Sequence, residues 1–175
     1  RLGILYKCSV NLFGFIDYSA SPHLDERRNE LPKIILEKNH DIIVLQEVWL
    51  DEDVDRFREK ADEAGYFVHT GPRDEYNDGC VTLIRKSIMN AETVSTSGGV
   101  AYAERDGLEY WPGPGIKRGF IFLSFDHTSL GTIHVYNTHM MPWWYNWGVR
   151  MAEAREVSLH VLDNAKETDL VFLGG

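Results

Sequence analysis

The sequence predicts a layered α/β domain with a mixed sheet. Three features carry that expectation: apolar runs of strand length, amphipathic stretches at helical spacing between them, and a clear β-hairpin in the second half. The weight of short strands in the middle of the chain argues against a simple doubly wound fold. With 175 residues and no repeat, low-complexity stretch or Ser/Pro-rich linker, one domain is expected. A chain of this length buries about 70% of its unfolded surface, so its core needs no disulfide or metal.

Taken in order, residues 2–10 read as an opening strand and residues 11–25, with Gly14, Ser19, Ser21 and Pro22, as a loop. Leu31, Ile34 and Ile35 recur at helical spacing, giving a helix from Glu26 to about Asn39. Residues 41–48 (DIIVLQEV) form an apolar run rich in β-branched side chains, which suits an interior strand covered on both faces. Val54, Phe57, Ala61 and Ala64 mark a second helix, with Asp51 or Asp53 as N-cap and Gly65 as stop signal. Strands are expected at 66–70 and 80–85 around a turn-rich segment ending in Asn77-Asp78-Gly79. A poorly patterned stretch containing Gly98-Gly99 and Trp111-Pro112-Gly113-Pro114-Gly115 leads into the hairpin, 119–126 and 132–139. An aromatic loop at 140–148 precedes a helix from about 149 to 166, and 169–173 (DLVFL) closes the pattern as a buried strand.

Composition narrows the function. At 43% hydrophobic and 26% charged residues the chain is neither a disordered tail nor a coiled coil. No apolar run approaches the ~18 residues of a membrane span. The 18 basic residues against 27 acidic ones leave a net charge of −9, which opposes broad electrostatic binding to nucleic acid. A phosphate ester held through a cation is compatible with that charge. Cys8 and Cys80 each lie in an apolar run and read as buried, reduced thiols, without the spacing of a zinc or redox motif.

In such folds ligands gather at the carboxyl rim of the strands, so polar residues there carry the most information. Glu47 sits at the end of a strand, where an unpaired carboxylate is costly without a cation or hydrogen bonds. Gln46 stands beside it, Asn11 ends the first strand, and Asn137 and His139 end the hairpin on the face of Ile133 and Val135. An oxygen-rich set with one imidazole suits Mg²⁺, or Mn²⁺ or Ca²⁺, more than zinc. Gly174-Gly175, after the last strand, allows the backbone to turn tightly beside a ligand.

These residues form a recognisable order. LQE at 45–47 after a DIIV strand, NTH at 137–139 after a hairpin and FLGG at 172–175 after a helix resemble the endonuclease/exonuclease/phosphatase superfamily. It comprises metal-dependent phosphoesterases: DNase I-like nucleases, inositol polyphosphate phosphatases and neutral sphingomyelinases. The opening CSVNLFG is similar to the family's first strand. The segment from Asp78 to Lys86 and the Lys117-Arg118-Gly119-Phe120 strand resemble the sphingomyelinase-like branch, Arg118 standing where that branch has Lys. In the last helix Arg150 and Glu153 depart from the branch's Arg-x-x-Gln pattern, and that face is expected to be solvated.

The resemblance implies a four-layer α+β sandwich of two packed mixed sheets flanked by helices. It implies that Glu47 and Asn11 hold the divalent cation, that His139 is catalytic toward the phosphate, and that Asn137 and Arg118 bind or orient substrate. It also implies an Asp-x-Asn motif after FLGG and, far downstream, an Asp-His pair that activates water. The 175 residues are therefore expected to be the N-terminal part of one domain and inactive alone. The expected activity is Mg²⁺-dependent phosphodiester hydrolysis on a phospholipid headgroup. Trp143, Trp144 and Trp147, beside His139 in sequence, are expected to touch a membrane surface, which favours a secreted or peripheral-membrane setting. A DNase I-like endonuclease or inositol-phosphate phosphatase is the alternative, and a non-catalytic binding domain of the same fold is the alternative of another class.

Overall fold

Strand side chains alternate between faces, and in this chain the alternation sorts them into layers. The computed structural model describes residues 24–73, 79–90, 94–103, 118–141 and 144–175. Along these lie α1 (Leu24–Glu37), β1 (Ile42–Leu45), α2 (Asp51–Glu63), β2 (Tyr66–Thr70), β3 (Val81–Arg85), β4 (Thr96–Ala101), β5 (Gly119–His127), β6 (Gly131–Thr138), α3 (Trp147–Asn164) and β7 (Leu170–Gly174). One sheet has the order β1-β3-β2 and the other β4-β5-β6-β7. Neighbours are antiparallel except β6 and β7, which run parallel.

Val81 and Leu83 of β3 face α1 and α2, packing with Val54, Phe57 and Ala61. Ile84 of the same strand faces the second sheet and meets Leu123, Phe125, Ile133 and Val135. Phe120 and Tyr136, on the far face of that sheet, pack under Val157 of α3. The result is the expected four layers: helices, sheet, sheet, helix. Among the described residues the first sheet is wholly antiparallel and the second mixed.

Several elements differ from expectation. The opening strand, Asn11 and Cys8 lie outside the described residues. Cys80 is a buried free thiol, as expected. β1 is four residues long; Ile43 and Leu45 pack on the helix side and Ile42 and Val44 toward the second sheet, so both faces are covered as expected, and its partner among the described residues is β3. Its ladder stops because Glu47 turns the backbone to a positive φ of 64°. Leu50, not an aspartate, caps α2, and no side chain caps it. Both aspartates are drawn away: Asp51 pairs with Arg73 at 2.6 Å, and buried Asp53 with Arg28 and Arg56 at 2.6 and 2.8 Å. β4 forms where patterning was poor, because Gly98 lies flat against Phe122; a Cβ there would meet the ring at 3.2 Å. Finally, β7 is not buried: Leu170, Val171, Phe172 and Leu173 are 42–55% exposed, and the strand has one neighbour among the described residues.

Candidate active site

The two sheets are pinned together at one rim by a single buried amide. Asn137 is fully buried at the end of β6, and its amide nitrogen donates to Leu45 O and Val81 O at 3.0 Å each, with Thr82 Oγ1 at 3.3 Å. Its carbonyl oxygen accepts from Gln46 Nε2 at 2.6 Å. Every polar atom of this side chain is thus engaged by β1, β3 or the residue after β1. Two residues further on, the chain emerges at the rim with His139.

Glu47 follows Gln46 in the left-handed region, a conformation that costs a non-glycine residue about 1–2 kcal/mol. The Val48 N–H donates to Gly79 O at 2.8 Å and holds this turn against the start of β3. Its effect is to bring Glu47 Oε1 to 3.7 Å from His139 Nε2. The glutamate side chain is 37% exposed and the histidine 14%, so the pair opens to solvent on the carboxylate side. The Trp49 ring packs on the imidazole at 5.4 Å between centroids. A carboxylate and an imidazole from different sheets, predicted at strand ends, therefore meet.

The loop leaving His139 is fixed by three charged side chains. Arg118 Nη1 donates to Met140 O at 3.1 Å and approaches His139 O at 3.5 Å. Arg150 Nη1 donates to Met141 O at 3.3 Å, and Glu153 Oε2 accepts the Met141 N–H at 2.9 Å. Glu153 is buried, not solvated as expected. Burial pushes its carboxyl above the ordinary glutamate value; the Met141 N–H and the two guanidinium groups oppose that shift. Below the rim the Tyr102 hydroxyl bonds Thr138 Oγ1, and burial raises that phenol well above its usual range. Gly175 passes Thr138 so closely that a Cβ would lie 2.7 Å from the threonine carbonyl oxygen.

The sequence reading identified Glu47, Gln46, Asn137, Arg118 and His139, and all five converge on this rim. Asn11 lies outside the described residues. It missed Trp49, Arg73 and Glu153. Glu153 carried a signal, standing four residues before Val157 on the buried stripe of α3; Arg73, in a turn, carried none.

Two face-to-face sheets between helices, with a carboxylate–imidazole pair at one rim, define a DNase I-like sandwich. The profile described as Endonuclease/Exonuclease/phosphatase family matches residues 8–175, and the chain belongs to that family, whose members hydrolyse phosphoester bonds. A comparison with curated protein sequences returns no match. Among solved structures it is similar to truncated Caenorhabditis elegans TDP2 (TM-score 0.63, 20% identity, 89% of this chain and 56% of that one). It is also similar to a humanized D. rerio TDP2 with 14 mutations (0.64, 17%, 87% and 55%). A β-hairpin deletion mutant of beta toxin from Staphylococcus aureus matches equally well (0.64, 14%, 85% and 59%). The chain spans little more than half the length of these structures.

Proposed function

We propose that the chain carries the Glu47–His139 part of the active site of a divalent-metal-dependent phosphodiester hydrolase, acting on a phospholipid headgroup in the manner of a sphingomyelinase. The observation that carries this reading is the 3.7 Å approach of Glu47 Oε1 to His139 Nε2 at a solvent-open rim. The donor chemistry fits a hard dication such as Mg²⁺. Among the described residues the rim presents the half-open Glu47 carboxylate beside the Gln46 amide, oxygen donors of the kind a hard cation takes. Mg²⁺ keeps several waters and takes one or two carboxylates.

Glu47 would hold the cation, with Asn11 as the second candidate ligand. Bound there, it supplies neutralisation of the charge that builds on phosphoryl oxygens. His139, backed by Trp49, presents Nε2 as hydrogen-bond or proton donor to the phosphate. Asn137 does not reach out toward substrate; it fixes the strand end from which His139 projects. Arg118 holds the His139–Met140 backbone, with its guanidinium near the same rim as a phosphate contact.

The lipid preference rests on the KGF-like sequence at 117–120 and on aromatic exposure in the segment after His139: Trp147 is 65% and Tyr145 47% exposed. Trp143 lies outside the described residues. Offered sphingomyelin vesicles and supercoiled plasmid in parallel with Mg²⁺, the full-length protein should release phosphocholine and leave the plasmid intact. Nicking without phosphocholine release would move the substrate to nucleic acid.

A further inference from the structure

Glu47 occupies a backbone conformation that a glutamate adopts only when its neighbours enforce it, and the enforcing groups lie outside the segment itself. Arg73, three residues after β2, spends its guanidinium on the residues that follow Glu47. Nη1 donates to Val48 O at 3.1 Å, Nη2 to Trp49 O at 2.6 Å, and Nε to Asp51 Oδ1 at 2.6 Å. The Arg73 side chain is 13% exposed and its contacts with the two carbonyls are part-buried, whereas Asp51 is 80% exposed. From the other side Gly79 accepts the Val48 N–H at 2.8 Å. A Cβ on Gly79 would lie 3.1 Å from Glu47 Cα, Glu47 N and Trp49 Cε3, and Gly79 itself has a positive φ of 71°. The segment 47–49 is therefore gripped between Arg73 and Gly79, and its two outward side chains are the carboxylate and the ring on His139.

We propose that Arg73 is a positioning residue for this site: its three-way contact with Val48, Trp49 and Asp51 sets the Glu47 carboxylate and, through Trp49, the His139 imidazole. The inference rests on the metal-site reading given above for its cation-binding consequence, but not for its effect on Trp49 and His139. A planar guanidinium suits the task because its donors diverge at fixed angles to three acceptors, which an ammonium cannot reproduce. Groups that orient metal ligands commonly change metal affinity about 10–100-fold when removed.

The test uses the full-length protein as wild type, Arg73→Ala, Arg73→Lys, Glu47→Gln and Ile133→Ala. Ile133 is buried between the sheets near the start of β6, at the opposite end of that strand from Asn137, and serves to match any loss of thermal stability. In the metal-free protein the Trp49 ring beside His139 should give the His139 ring resonance a ring-current shift. That shift should collapse in Arg73→Ala, recover in part in Arg73→Lys and persist in Ile133→Ala. With Mn²⁺ as probe, read from the EPR signal of the free ion, Arg73→Ala should bind about 10-fold more weakly and Ile133→Ala as wild type. An unchanged His139 resonance in Arg73→Ala, or equal losses in Ile133→Ala, overturns the proposal. Wild-type protein that binds no Mn²⁺, or Glu47→Gln that binds it normally, sinks the metal-site reading instead, and the His139 resonance then decides the role of Arg73.

Discussion

Glu47 and Asn137 are both polar residues at strand ends, and their surroundings give them opposite tasks. Asn137 has no exposure and four polar neighbours drawn from the first sheet and the residue after β1. Truncating it leaves the Leu45 and Val81 carbonyls and the Gln46 amide without their partner. Each buried group so orphaned costs roughly 1–3 kcal/mol. Asn137→Ala should therefore lower unfolding free energy by about 2–4 kcal/mol in urea denaturation; a loss below about 1 kcal/mol would mean that water replaces the amide. Glu47, by contrast, pays backbone strain to stand half-open beside an imidazole. A residue held under strain and turned outward is the pattern expected of a ligand-binding group. Position at a strand end was legible in the sequence for both. Which of them faces the core was not, because that depends on where the other sheet lies.

At the scale of elements, apolar patterning located β3, β5 and β6, and on β6 its period-two alternation put Asn137 on the face of Ile133 and Val135. It failed at β4, where two glycines carry no pattern and the strand exists because Phe122 needs a flat partner. It failed again at β7, whose apolar run satisfies a buried pattern while both faces stay exposed. Helix α3 hides the most instructive residue. Glu153 is buried on the stripe shared with Val157 and holds the Met141 N–H in the loop that leaves His139. Its carboxyl titrates above the ordinary glutamate value of 4.5 because burial disfavours the charge. The folded state therefore binds more protons than the unfolded chain just above pH 4.5, and this group's contribution to stability falls as pH rises through that window. Glu153→Gln keeps the acceptor for Met141 and removes the titration. Unfolding free energy measured between pH 4 and 7 should lose that downward slope in the variant. An identical slope in both proteins would place Glu153 in water.

At the scale of the molecule, four layers bring one edge of each sheet to a common rim, and the family assignment follows from that arrangement together with the matched profile. The order LQE, NTH and FLGG made the architecture legible before any coordinates, because those strings sit at strand ends that the fold must bring together. Bracing by Arg73 was invisible, since a turn residue acquires its partners only when β2, β3 and the β1–α2 connection close on one another. Near the rim, Trp147, Tyr145 and Met151 leave an apolar surface, 65%, 47% and 64% exposed. If it meets a lipid interface, Trp147→Ala should weaken cosedimentation with sphingomyelin vesicles several-fold while leaving hydrolysis of a soluble phosphodiester unchanged. Equal vesicle binding by both proteins would remove this surface from the membrane.

Glu47 is proposed to hold a dication beside His139. Phosphodiester hydrolysis by full-length protein, titrated with Mg²⁺, tests this most directly when wild type and Glu47→Gln are run side by side. Saturable Mg²⁺ dependence in wild type, with kcat/KM reduced by about 10²-fold or more in Glu47→Gln, is the expected result. Near-normal turnover by Glu47→Gln at the same Mg²⁺ concentrations would contradict it.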